Sequence, residues 1–405
     1  TLEGEMKNKN ILLILIVSYL AGCATTSGVG PEYQSENEKI VIENSDPFDV
    51  SVAVFNPGLP KDSSYGESGV WPELRRAESM YMAVQLRDTL AESGNYGAVR
   101  VTPDLSSNAD LYIKAKIEES NGEDLKLKVT VVDSTGKQWI SKKYSHRVEP
   151  ITFNNPRNKD AKNVLKVDPY EPIFKKINSD IAKYMKKRIK TKNADIINTV
   201  ADIRYAQNFS PDAFSDILTS NKGKFRLKGK PDLNDPMMAR IQKIQYRDKM
   251  FIDNMQSNYE GFSADMIPSY RIWQEQSFLE SKSAREAASA AFWQGVAGAL
   301  VLAATVAAAG DSDSYAGARN SAIVGGAVAG SLFQGSFKSS AEAKIHRDSL
   351  NEIAASIDGS LSPSVIEMEG TTVTLTGSAD EQFTQWKDIL KKIYLAETEK
   401  TIEVL

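Results

Sequence analysis

The residues that could do chemistry in this chain are few and far apart. One cysteine, Cys23, and two histidines, His146 and His346, are its only thiol and imidazoles. A zinc site draws on such ligands, and a Ser-His-Asp constellation needs an imidazole beside its nucleophile, so both chemistries have little to work with. Carboxylates are plentiful, at 53 Asp and Glu, and an enzyme acting on cell wall or glycan would need two of them positioned across a bond. No stretch sets one pair apart. Asp311 and Asp313 fall short of the oxygen ligands calcium takes and read as turn residues. Gly325, Gly326 and Gly330 lack the G-x-G-x-x-G spacing and the preceding strand of a nucleotide loop. The expectation is a non-enzyme, with no catalytic residue, cofactor or metal.

What Cys23 can do follows from its surroundings. A basic flank, Lys7 and Lys9, precedes the apolar run from Ile11, and small residues lead into the cysteine, the order of a secretory signal peptide. Leu20-Ala21-Gly22-Cys23 resembles the lipobox of bacterial lipoproteins. That resemblance implies diacylglycerol on the Cys23 sulfur, cleavage before it, and acylation (palmitate) of the new amino terminus. Residues 1–22 then form the signal peptide, with Met6 as the true start. Ala24 and Thr25 stand where an aspartate would favour retention in the inner membrane, which implies an outer-membrane anchor with the body facing the periplasm. Several acyl chains anchor stably where one does not.

Removing residues 1–22 takes away Glu3, Glu5, Lys7 and Lys9, so the net charge of −4 is unchanged. A mildly acidic chain argues against nucleic acid as a partner. With Cys23 lipidated no thiol remains for a disulfide.

The elements that must position any site read as α+β. Residues 23–46 are a Ser-, Thr-, Gly- and Glu-rich tether. Residues 47–147 show a strand at Val50–Phe55 and a helix from Pro72 to Ser93 ending at Gly94. Strands follow at Val99–Thr102, at Leu111–Glu119, after Asn121-Gly122, and around Gln138–Ser145. The order β-α-β-β-β-β predicts one sheet on one helix. VSVAVFNPGLP, LAESGNYGAVRVTP and ADLYIKAKIEESNGEDLKLKVTVVDSTGKQW resemble the small α/β domain of several envelope proteins. These include the curli-secretion pore lipoprotein, the lipoprotein activators of penicillin-binding proteins, and the amino-terminal domain of the Tol-system propeller protein. The resemblance implies docking and ring assembly, with no chemistry in the domain. Paired ten-residue strands of a transmembrane barrel do not follow it.

Residues 148–171 read as a Pro- and Asn-rich linker and 172–289 as a helical region. Pro172 to Ala206 is expected as one helix carrying a basic run; Lys186, Lys187, Arg188 and Lys190 are candidates for polyanion contact, against a solvated helix face. Lys222 to Lys230 suggests a small basic hairpin. Asp235 to Arg285 is expected to be helical, capped by Asp235 and broken at Pro268. Its recurring aromatics, Tyr246, Phe251, Tyr259, Phe262, Tyr270, Trp273 and Phe278, read as packed core rather than a partner groove.

Residues 290–337 form an Ala/Gly-rich helical hairpin. Ala290–Ala309 has no charge and the length to cross a bilayer, and Gly295, Gly298, Gly326 and Gly330 mark small faces that let backbones approach, in the membrane or in an oligomer. The segment resembles the glycine zippers of small outer-membrane lipoproteins. Residues 338–405 read as helix, β-hairpin and helix; within them TVTLTGSADEQ resembles part of the small lipid-associated domain of osmotically regulated periplasmic proteins. The expected function is a non-enzymatic docking or oligomeric scaffold in an envelope assembly or export system. Its partners are the membrane, through the lipid anchor, envelope proteins, and further copies of the chain as a homo-oligomer. The alternatives are an α-helical pore-forming lipoprotein and a cell-wall or glycan-acting enzyme.

Overall fold

The computed structural model describes residues 40, 42, 45–60, 70–161, 164–229, 232, 235–309, 345, 348–353, 355, 364–368 and 371–402, with backbone alone at 284, 288, 290–309, 364–368, 371–372 and 399–402. Cys23, Gly326 and Gly330 lie outside these residues, as does most of the tether.

The architecture is α+β. Strands β1 (Val50–Ala53), β2 (Val99–Thr102), β3 (Leu111–Ser120), β4 (Asp124–Asp133) and β5 (Gln138–Arg147) form one mixed sheet in the order β2-β1-β3-β4-β5. β1 is parallel to β2 and β3, while β3, β4 and β5 form an antiparallel meander. Alternation along β3 and β4 sends Ile113, Ile117, Leu125, Leu127, Val129 and Val131 to one face, where all are buried. Helix α1 (Pro72–Glu92) covers that face. Pro72 occupies its first turn and Gly94, at φ +64°, follows its end.

The expected single helix over the sheet is only part of the cover. After a short helix α2 (Pro150–Asn154), helix α3 (Glu171–Arg188) packs on β5 and α1, burying Ile173, Phe174, Ile177, Ile181 and Met185. Residues 148–171, expected as a linker, contribute Phe153, Leu165 and fully buried Tyr170 to the same core.

The helix expected from Pro172 to Ala206 divides in two. Ile189 (φ −100°, ψ 126°) and Lys190 (φ −115°, ψ 161°) are extended, and α4 (Thr191–Gln207) begins after them. Ile189 leaves the helix to be buried at 6% exposure. Lys186, Lys187 and Arg188 then occupy the last turn of α3, where cations favour the negative end of the helix dipole.

Next come α5 (Pro211–Phe214) and the hairpin β6 (Leu218–Asn221) and β7 (Lys224–Leu227), turning through Lys222 and Gly223, both at positive φ. This is the small basic hairpin the alternating lysines suggest.

Helix α6 (Pro236–Ala309) is 74 residues long. Asp235 caps it, its carboxylate accepting the Met237 N–H at 2.8 Å. The expected break at Pro268 does not occur. Proline removes one rung of hydrogen bonding, but Met266 and Tyr270 on either side are fully buried, so packing holds the axis through it. Phe251, Tyr259, Tyr270, Trp273 and Phe278 are core, against the sheet domain and the last helix, while Tyr246 is exposed. The hairpin β8 (Ser364–Met368) and β9 (Thr371–Leu375) and helix α7 (Ala379–Ile402) complete the fold; Phe383, Trp386 and Leu390 of α7 are buried, with Trp386 stacked on Phe251.

The β3–β4 turn is where the sheet meets α6. Gly122 has φ +81°, and a Cβ there would stand 2.6 Å from the Phe278 nitrogen and 2.9 Å from the Gln274 oxygen. Gly122→Ala combines a left-handed strain with a clash against helix backbone. It should cost about 1–2 kcal/mol in urea unfolding, and an unchanged midpoint would show that the turn does not seat on the helix.

Candidate functional site

Three places gather polar groups. The first is a buried ionic network joining α1, the β3–β4 turn, residues 168–170 and α6. Arg271 and Asp168 are 4% and 3% exposed and pair at 3.1 Å. The Tyr81 hydroxyl donates to Asp168 Oδ2 at 2.7 Å and accepts from Arg271 Nη2 at 2.7 Å. Gln274 bridges the two, accepting from Arg271 Nη1 at 2.8 Å and donating to Asp168 Oδ1 at 3.2 Å.

Beside them Glu78, 1% exposed, pairs with Arg75 at 3.1 Å and accepts from Ser120 at 2.6 Å and Tyr270 at 2.8 Å. Burial pushes its carboxyl above the usual range against the lowering pull of Arg75, Ser120 and Tyr270. Burial likewise raises the Tyr81 phenol, and the Asp168 charge adds to it. A pair of acidic side chains in one network is the arrangement acid–base catalysis would use. Here their oxygens are turned onto one another's neighbours, and the geometry is that of a weld.

The second is a cleft of about 280 Å³ between α4, β7 and the loop before β3. The Arg204 guanidinium lies over Phe225 at 4.2 Å and Tyr112 at 5.5 Å, and its Nη1 donates to the Ser134 carbonyl at 2.7 Å. Its charge is already held by two rings and a carbonyl.

An adjoining hollow of about 170 Å³ contains Asp49, Asp110, Asp202 and Lys249. Asp110 is pushed up to about 7, first by burial and then by Asp49 and Asp202. A carboxyl near neutrality can give or take a proton at pH 7. Its Oδ2 instead accepts the Asp49 N–H at 2.8 Å, and Asp49 accepts from Ala98 N at 2.9 Å and Lys249 at 2.9 Å. The acids therefore start strands β1 and β3, at the amino ends, opposite the carboxyl ends where open α/β sheets bind ligands. No group of three or more His, Cys, Asp or Glu could hold a metal among the described residues.

The third is the sheet face away from α1, where Lys114, Lys116, Lys126, Lys128 and Lys143 stand exposed. Sequence reading passed over it, because only strand register shows which lysines face one another.

Of the predicted site residues, Cys23, Gly326 and Gly330 lie outside the described residues. Lys186, Lys187, Arg188 and Lys190 are exposed at the α3–α4 junction. Gly295 and Gly298 fall on the α6 backbone. That helix continues 24 residues beyond Arg285, whose guanidinium holds buried Glu123 at 2.8 and 3.0 Å, a further length of about 36 Å. No helix among the described residues is long and apolar enough to cross a membrane. No family model, curated protein or solved structure matches the chain.

Proposed function

We propose that the protein is a non-enzymatic docking and oligomeric scaffold, held to the periplasmic face of the outer membrane through a lipid on Cys23, in an envelope assembly or export system. One observation carries the scaffold reading: the α/β body is fused by a buried ionic network to a single long helix that runs on for about 36 Å past its last ion pair with the sheet domain. A helix of that reach suits joining copies, and Gly295 and Gly298 lie along the part beyond Arg285. The lipobox-like run before Cys23 supports the anchor.

The test is to extract the lipidated chain in mild detergent and measure particle mass by light scattering, with intact mass of the amino-terminal peptide read in parallel. Particles of several protomers are expected, falling toward one protomer when Gly295 and Gly298 are both replaced by leucine, since the small face no longer admits a second backbone. A bare monomer with no co-purifying protein would sink the scaffold reading, and an unmodified Cys23 would sink the anchor.

A further inference from the structure

We infer that the open face of the sheet is a contact surface for anionic phospholipid headgroups. Lys116 on β3 is directly opposite Lys128 on β4, and Lys128 is directly opposite Lys143 on β5. Lys114 lies two residues along β3 on the same face. Strands about 4.8 Å apart put this row of three within about 10 Å.

Like charges directly opposite one another destabilise a sheet. Carboxylates relieve part of it: Lys143 of the row reaches across β4 to Glu118 on β3 at 2.9 Å, and Lys126 pairs with Glu119. Lys114, Lys116 and Lys128 have no such partner among the described residues.

Protection of an exposed strand edge accounts for a lysine on β5, the edge strand. It does not account for Lys116 or Lys128, because β3 and β4 have neighbours on both sides. Nor does the chain's overall charge, since it is acidic at −4. Three lysines without a carboxylate partner among the described residues thus stand together on one face of an acidic molecule, which favours turning that face toward an anionic surface.

The occupant follows from the membrane-tethered reading, on which this proposal rests for opportunity. Ile40 and Ile42 pack against the body, the Ile40 N–H donating to Asn95 Oδ1 at 2.7 Å, so the chain leading back to Cys23 joins the sheet domain itself. On that reading the body works beside a bilayer, and a lysine cluster gains about 1 kcal/mol per residue from anionic headgroups. The basic residues at the end of α3 fit the role less well, because three of them already complement a helix dipole.

The test uses the full chain carrying Cys23→Ala, so that binding reports the face and not an acyl chain, while the mass of the parent's Cys23 peptide reports the anchor separately. Sedimentation is compared on neutral phosphatidylcholine vesicles and on vesicles with about 30% phosphatidylglycerol. The expected result is a binding increment on the anionic vesicles. It should fall at least about tenfold in K114Q/K116Q/K128Q, fade between about 50 and 500 mM salt, and persist in K187Q/R188Q/K190Q. The first triple variant should also melt at a higher temperature than its parent, showing that it folds and that the row is a cost the parent carries. Equal binding to both vesicle types, an increment untouched by K114Q/K116Q/K128Q, or one lost only in K187Q/R188Q/K190Q would overturn the assignment.

Discussion

Replacing Arg271 with alanine should lower unfolding stability by about 3–5 kcal/mol, because it strands the Asp168 carboxylate inside the protein with its counter-charge gone. Asp168 is 3% exposed and would keep only the Tyr81 hydroxyl, Gln274 and the Tyr170 N–H. The loss should exceed that of the exposed Arg147–Asp124 pair, worth at most about 1 kcal/mol. Urea denaturation of R271A, D168N and the double variant gives the coupling. If the double variant recovers most of the loss, the pair is a weld whose halves are costly alone. If the three effects simply add, Arg271 acts through packing and the weld argument fails.

The second large effect is on pH. Asp110 is raised to about 7 and Asp248 to about 6, both chiefly by burial, from an ordinary value of 3.8. Between about pH 4 and pH 7 the folded protein therefore holds protons that the unfolded chain has released. Linkage then makes stability fall as pH rises through that window, with the full penalty present above it and none below. At about 1.4 kcal/mol per pH unit Asp248 should cost about 3 kcal/mol at pH 8, and Asp110, discounted for its partial exposure, about 2 more. Asp110→Asn keeps an oxygen for the Asp49 N–H and removes that residue's share. Its advantage over the parent should be visible in denaturant midpoints at pH 8 and vanish near pH 4. Parallel stability curves for the two proteins would refute it.

Much of this fold is written in local pattern. Alternation along Leu111–Glu119 and Leu125–Val131, turned by Asn121-Gly122, is a face-and-turn signal with a backbone cause, and Asp235 before Pro236 is a cap read from two residues. What failed to show were effects of packing between distant segments. Pro268 reads as a break until Met266 and Tyr270 are seen buried on both sides, and the α3–α4 junction depends on where Ile189 finds cover. The network of Glu78, Tyr81, Asp168 and Arg271 joins segments up to 193 positions apart, from Glu78 to Arg271, and charge at such spacing carries no periodic signal. The lysine row is hidden for a related reason. Lys116, Lys128 and Lys143 are unremarkable in sequence and become neighbours only once register is set.

The two edges of the sheet are unlike. Along β2, the Gln256 amide of α6 accepts from Val101 N at 2.8 Å and donates to Val101 O at 2.9 Å, doing with one side chain what a neighbouring strand would do. Among the described residues β5 pairs only with β4, so its far side is the end of the sheet. A sheet closed at one end can be extended only from the other. Edge-to-edge association through this sheet joins β5 to β5 and leaves each β2 edge covered by Gln256, so this sheet by itself gives a self-terminating pair and no fibre.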